Sequence, residues 1–353
     1  MHASLLRRPL VPALLLLLAL LSVLTLTACG DDEEPTAATG SGADAVPEKI
    51  TIGYQAIPNG DLVVKHQQLL EKALPDTRIE WKQFDSGGSV NEAFAGGSLD
   101  IGLAGSSPVS RGLSQGIEYV VPWIHDVIGS AEALVAKDGI RTIADLKGKT
   151  IAAPLASTTH YTLLAALKDA GVAERDVKII DAEPADIAAA WKRDDIDAAY
   201  VWNPTLATLV DDGGTVITDS AKQAEKGHTT YDLAVVSKAF ADRYPDALAT
   251  WVEQQDAAVR LLADDPDAAA VAIGAELNLE PAEVLQQTKG LQFLTADEQS
   301  GAAFLGGKVG RDLLATATFN KDVGQIPATK PDAVYTGASY VTAVKAVAGR
   351  AGR

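Results

Sequence analysis

Lys49-Ile50-Thr51-Ile52-Gly53-Tyr54, a helical spacing through Val63, Leu69, Leu70 and Ala73, and then Arg78-Ile79-Glu80-Trp81-Lys82-Gln83-Phe84 decide the fold. The outer two runs read as strands and the middle one carries the longer period of a helix, which makes a βαβ unit. The rhythm continues with a helix over 89–95, a strand over 100–104, the turn Gly105-Ser106-Ser107-Pro108, and a helix through Arg111 and Leu113. Strand and helix alternate throughout, so the predicted fold class is α/β. Such chains form mostly parallel sheets with helices on both faces, and their ligands lie beyond the carboxyl ends of the strands.

Two stretches echo each other: Val90-Asn91-Glu92-Ala93-Phe94-Ala95-Gly96-Gly97-Ser98-Leu99-Asp100-Ile101-Gly102 and Ile187-Ala188-Ala189-Ala190-Trp191-Lys192-Arg193-Asp194-Asp195-Ile196-Asp197-Ala198-Ala199. Each is a helix, a polar turn, and an apolar-Asp-small strand start. Placed in separate lobes, they give two similar halves facing across a cleft, although units of this kind also recur by coincidence in α/β proteins. After about Ala239 the pattern is mainly helical, with amphipathic stretches around 246–262, 267–277 and 281–288 expected to cover the first lobe. A proline-marked tail follows from Ile326 and ends in the amphipathic stretch 339–347.

At the other end, Arg7 and Arg8 precede a leucine-rich run from Leu10 to Leu26 that ends in Leu26-Thr27-Ala28-Cys29, the pattern of an export signal. A signal-anchor is the competing reading, but the run is marginal for spanning a bilayer. Cys29 is the only cysteine, which excludes an internal disulfide and a thiolate zinc site. The four residues from Leu26 to Cys29 resemble the bacterial lipobox. That resemblance implies a leader at 1–28, a lipidated Cys29, and an exported protein attached to the outer face of the cell membrane, with more than one acyl chain for stable anchoring. Asp31-Asp32-Glu33-Glu34 and the small, polar residues after it make 29–47 a disordered tether. What remains is long enough for two domains with a core each. The net charge of −17 argues against nucleic acid as a partner.

The strongest local signal is Ile151-Ala152-Ala153-Pro154-Leu155-Ala156-Ser157-Thr158-Thr159-His160-Tyr161: a buried strand, a polar turn, and a helix. Ser157, Thr158 and Thr159 stand at the helix start, where unpaired N–H groups and the positive end of the dipole favour an oxyanion such as a sulfonate. Plain capping would use only one of the three hydroxyls. Gly105-Ser106-Ser107 forms a second site of this kind, and the two could close on one anion; its glycine equally serves a turn. Trp202 ends the strand Asp197-Ala198-Ala199-Tyr200-Val201-Trp202 and is either a cleft wall or core. Glu132 and Asp232 abut apolar strands beside the lobe crossings, and either could meet an ammonium, although most acids in such a chain are merely solvated.

Catalytic readings find little support. His2, His66, His125, His160 and His228 show no metal-ligand spacing, and there is no Gly-x-Ser-x-Gly elbow or phosphate-binding loop. His160 stands three residues after Ser157 without a third orienting group. No catalytic residue, metal or cofactor is therefore expected.

Phe84-Asp85-Ser86-Gly87-Gly88, Gly105-Ser106-Ser107-Pro108, Ser130-Ala131-Glu132-Ala133-Leu134-Val135, Ser157-Thr158-Thr159-His160-Tyr161 with Leu163-Leu164-Ala165-Ala166-Leu167-Lys168, Ala189-Ala190-Trp191 with Asp195-Ile196-Asp197, and Ala199-Tyr200-Val201-Trp202 occur in an order that closely resembles the taurine-binding components of bacterial taurine ABC transporters. These belong to the aliphatic sulfonate, nitrate and taurine substrate-binding family, and the resemblance covers about 49–330. It implies the type II periplasmic-binding-protein fold: two α/β lobes joined by two crossover strands around a central cleft, with 48–133 and 233–353 as lobe 1 and 134–232 as lobe 2. It also implies a monomeric binding lipoprotein that delivers taurine to the transmembrane subunits of an ABC permease. Another small alkanesulfonate, a nitrate-like anion or a thiamine-precursor-like ligand is the alternative.

By the same resemblance Asp232 is the ammonium partner, joined by Glu132. The sulfonate falls to the Ser157 to Thr159 region and to Ser106 and Ser107. Gln55 and Trp202 fall at pocket positions, with Tyr54, His160 and Tyr161 expected in the pocket wall. Two departures, Ala234 in place of an aromatic residue and a different loop over 56–61, are expected to reshape the pocket. Taurine suits such a site physically. It is a compact zwitterion needing an anion nest and a desolvated carboxylate, and a sulfonate without the amine would leave Asp232 buried and unpaired.

Overall fold

The computed structural model describes residues 46–349. The leader at 1–28, the lipidation site Cys29, and all of the tether except its last two residues lie outside the described residues.

The chain builds β1 (Lys49–Gln55), β2 (Arg78–Phe84), β3 (Ile101–Gly105) and β4 (Tyr119–Ile128), then β5 (Glu132–Ala136), β6 (Thr150–Ala153), β7 (Lys178–Asp181), β8 (Ala198–Trp202) and β9 (Thr215–Asp219), and finally β10 (Tyr231–Ser237) and β11 (Leu291–Gln292). These strands make two sheets, ordered β11-β4-β10-β3-β1-β2 and β7-β6-β8-β5-β9. The chain passes between the sheets through 129–131 and returns through 220–230, which holds the short helix Ser220–Ala224, so Glu132 and Ala133 belong with the second sheet and Tyr231 and Asp232 with the first, where lobe limits at 133 and 232 had put them the other way round.

The sheets are mixed rather than mostly parallel. β1 runs parallel to β2 and β3, and β6 to β7 and β8, as βαβ units require. β10, however, enters the first sheet antiparallel between β3 and β4, and β5 enters the second antiparallel between β8 and β9. Each inserted strand follows directly on a passage between the sheets, so it enters from the side where the two lobes meet. The consequence for the site is that the amino ends of β5 and β10 join the carboxyl ends of β1, β3, β6 and β8 on the facing rims.

Burial explains why these segments become strands. Ile50 and Ile52 of β1, Leu103 and Ala104 of β3, and Leu233 to Val236 of β10 are all buried, because helices cover both faces of the sheet. In the second sheet alternate residues part to opposite faces: Ala133, Val135, Ala199 and Val201 join one cluster, while Leu134, Ala136, Ala198 and Tyr200 join another. Tyr200 is thus core, and Trp202, at the end of the same strand, is only half-buried. The helix Pro245–Asp264 buries Leu248, Trp251 and Val252 in the first lobe's core, and Lys308–Asp322 adds Val309, Leu313 and Ala317.

Candidate functional site

Residues of both sheets line one small cavity between the lobes. Gln55 at the end of β1, Gly105 at the end of β3, Ile128 at the end of β4 and Asp232 near the start of β10 come from the first lobe, with Gly87, Pro108 and the loop residues Ile57 and Pro58. Glu132 at the start of β5, Trp202 at the end of β8, Asn203, Ser157 and Thr158 come from the second, while Ala131 lies in the passage and Leu291 begins β11.

Three helices begin at this cavity. Gly87–Ala95 is capped by Ser86, Ser106–Gln115 by Gly105, and Thr158–Asp169 by Ser157. Gly105 carries no side chain, so the first-turn N–H groups of its helix receive no side-chain cap. Free amide donors and positive dipole ends gathered at one place make an anion receptor. The cavity wall contains no Lys, Arg or His, so an anion here would be held by neutral dipoles rather than by a counter-charge.

The hydroxyls expected to hold a sulfonate are largely engaged elsewhere. Ser157 Oγ accepts from the His160 N–H at 3.1 Å, donates to Pro154 O at 2.6 Å, and lies 2.7 Å from Thr159 Oγ1, which is itself outside the cavity wall. Thr158 Oγ1 donates to Glu132 Oε1 at 2.5 Å. Ser106 Oγ accepts from the Tyr231 N–H at 3.2 Å, and Ser107 Oγ accepts from Asn320 Nδ2 at 3.5 Å; both brace their helix rather than line the cavity.

Tyr54, His160 and Tyr161 also lie outside the wall. Tyr54 alternates away from Gln55 and packs edge-on to Trp81. His160 Nδ1 accepts from the Ala156 N–H at 3.3 Å, and burial, aided by the charge of Arg111, pushes the imidazole down to about 4, so it is neutral near pH 7. Tyr161 packs edge-on to Phe319 of the first lobe and to His228. Ala234, the departure from the family's aromatic residue that was expected to reshape the pocket, is fully buried in the sheet opposite Leu103 and Trp123 and does not line the cavity. The departing loop does, through Ile57 and Pro58, while Asn59 caps the next helix.

The acidic side of the cavity is built from both lobes. Glu132 Oε1 accepts from Thr158, and Oε2 accepts from Ser220 Oγ at 3.2 Å, so both oxygens are held in place. Burial pushes the Glu132 carboxyl up to about 8, the nearby charge of Asp232 adds to this, and the two hydroxyl donors oppose it. Asp232, opposite Gly105 in the β3 register, is likewise held above the ordinary carboxylate range by burial. Asp126 of β4 pairs with Asp232 in register but is fully buried behind the cavity wall rather than part of it. Sequence reasoning passed over Asp126, and also Gly87. An acid inside Trp123-Ile124-His125-Asp126-Val127-Ile128, and a Ser-Gly-Gly start repeating the logic of Gly105-Ser106-Ser107, were the available signals.

The two lobes touch closely above the cavity. Ser86 Oγ donates to Glu183 Oε1 across the cleft at 2.9 Å. A Cβ on Gly105 would lie 2.6 Å from Thr158 Cγ2, although the Gly105 backbone at φ −63° suits any residue. Gly105→Ala is therefore expected to push the lobes apart without straining its own strand. Its expected signature is at least a tenfold loss of ligand affinity in calorimetry while the ligand-free thermal midpoint stays within about 2 °C; unchanged affinity would show that the close approach is not needed.

With this geometry established, comparison with known proteins is informative. Residues 48–271 match the family model described as the substrate binding domain of an ABC-type glycine betaine transport system. The chain is 37% identical over 289 residues to the taurine-binding periplasmic protein of Escherichia coli K12, covering 80% of this chain and 89% of that one. It is 30% identical to a putative aliphatic sulfonates-binding protein of the same organism, covering 72% and 84%. Among solved structures, the alkanesulfonate-binding protein of Xanthomonas axonopodis pv. citri bound to MOPS superposes with a TM-score of 0.69 at 25% identity, covering 83% of this chain and 98% of that one. The chain belongs to the family of ABC-transporter substrate-binding proteins with the two-lobed periplasmic-binding fold.

Proposed function

We propose that this protein captures taurine, or a closely similar short amino-sulfonate, in the cavity between its lobes and presents it to the transmembrane subunits of an ABC importer, working as an exported monomer attached to the membrane through lipidated Cys29. One observation carries the ligand assignment. The wall of a single small cavity combines three helix amino-termini with two buried carboxyls, Glu132 and Asp232, and holds no basic side chain. A ligand carrying only an anion would leave both carboxyls buried against it, whereas a ligand carrying only a cation would leave the amide donors unused. A compact zwitterion satisfies both. The printed names of the relatives in Escherichia coli point to the same ligand class.

Calorimetric titration with taurine and with ethanesulfonate, which lacks the amine, tests the assignment. Taurine is expected to bind at least about a hundredfold more tightly, in line with the cost of leaving a buried charge without its partner. Absence of heat with millimolar taurine, or tighter binding of ethanesulfonate, would move the protein to the simple anion binders.

A further inference from the structure

Asp126 is 0% exposed, and neither of its carboxyl oxygens has a hydrogen-bond partner. It pairs with Asp232 in the antiparallel β4–β10 ladder, beside a bulge between Asp232 and Leu233, and the two carboxyls are near enough to act on each other's charge. An ionised Asp126 would face Asp232 without a donor or a cation to compensate it. The geometry points to Asp126 as a proton-bearing positioning residue that stays a neutral acid and donates to Asp232, so that Asp232 and Glu132 alone turn negative to receive the ligand's ammonium group. This rests on the zwitterion reading above and extends it to the proton balance of binding.

The charges acting on Asp126 support it. They are those of Asp232 and Glu132, and with burial they hold its carboxyl far above the usual range. The remaining charged groups on packed elements are engaged or turned outward. His125, next in the strand, has Asp61 as its charged neighbour; Arg111, on the helix Ser106–Gln115 packed on β10, opens into a neighbouring groove and not into the cavity; Lys308, against Tyr231 of β10, pairs with Asp312; Lys238 pairs with Asp242 beside β4, Lys222 with Asp219 beside β5, and Lys345 is exposed. No cation in this set neutralises the cluster, so the ligand's ammonium is the group that would. Before binding, the Glu132 and Asp232 carboxyls share protons with solvent near neutral pH. On binding, every O–H still present in that pair breaks and the protons, between one and two near pH 7, pass to buffer, while the ammonium keeps its three hydrogens and Asp126 keeps its own.

Two measurements decide this. Carbon-13 NMR of the carboxyl carbons in the ligand-free protein should find Asp126 still protonated at pH 8; an Asp126 that ionises below pH 7 overturns the inference whether or not taurine binds. Taurine titrations in buffers of different ionisation enthalpy at pH 7 should show net proton release, with affinity rising with pH between 6 and 8, towards about a hundredfold per pH unit at the acid end, the limit for two protons. Asp126→Leu, which leaves Asp232 without a donor, should lower affinity at least tenfold, and Asp126→Asn, whose amide can still donate, should restore most of it. Tight taurine binding without proton release, or an Asn variant no better than Leu, would remove this role from Asp126 and leave the ligand assignment standing. Absence of taurine binding would instead sink the ligand assignment, with the NMR result still deciding the protonation of Asp126.

Discussion

Replacing Asp232 by asparagine is expected to weaken taurine binding by about 2–4 kcal/mol, some thirtyfold to a thousandfold, while leaving ethanesulfonate binding unchanged or stronger. Asp232 lines the cavity near the start of β10, where the backbone pairs with both β3 and β4, so the strand is held independently of the side chain. Asparagine keeps the size and one acceptor and removes only the charge. The expected loss is large because the ammonium would be taken out of water against a weaker partner, with Glu132 as the single remaining negative group. The sign for ethanesulfonate is opposite, since the variant no longer buries a carboxylate beside a ligand that cannot pair with it. The ratio of the two affinities, measured by calorimetry on one preparation, is the useful number: a ratio that does not move would mean Asp232 does not meet the ligand's cationic end.

The two-lobed α/β plan was legible because period and burial agree: the apolar runs at Ile50 to Tyr54, Ile151 to Ala153 and Ala198 to Val201 became strands, and each turn after them became a helix start. The antiparallel entries of β5 and β10 were not legible, because strand direction depends on how the chain returns between lobes and not on the composition of the strand. At the site, residue type located turns that border the cavity without telling which of their atoms face it. A hydroxyl beside a helix start satisfies its own cap before it reaches a ligand, as Ser157 does, and Thr158 is drawn to Glu132 on the neighbouring strand. Of the neighbours Tyr54 and Gln55, both expected at the pocket, only Gln55 lines the cavity, because successive residues of a strand face opposite sides. Asp126 was missed since an acid within an apolar strand announces itself only when its cross-strand neighbour is known, and that pairing is long-range.

Glu132→Gln is expected to make the ligand-free protein more stable at pH 8 than the natural sequence, while weakening taurine binding. In the unfolded chain Glu132 titrates as an ordinary carboxylate near 4.5, and in the folded protein burial moves it to about 8. The folded state thus holds the proton more tightly. The stability this supplies is fully present below about pH 4.5 and is lost as the pH rises through about 8, a change on the order of a few kcal/mol. Glutamine removes the titration and keeps a carbonyl to accept from Thr158 or Ser220. Thermal unfolding between pH 5 and 9 should show the natural protein's midpoint falling toward pH 8 and the variant's falling less, by the share of Asp232, with a given taurine concentration raising the natural protein's midpoint more than the variant's. A natural protein whose midpoint stays flat, together with a variant less stable at every pH, would mean that Glu132 serves the fold and not the ligand. If the expected pattern holds, the free energy that the empty site spends on keeping an acid buried is what an ammonium recovers on entry, and a more comfortable site would bind its ligand less well.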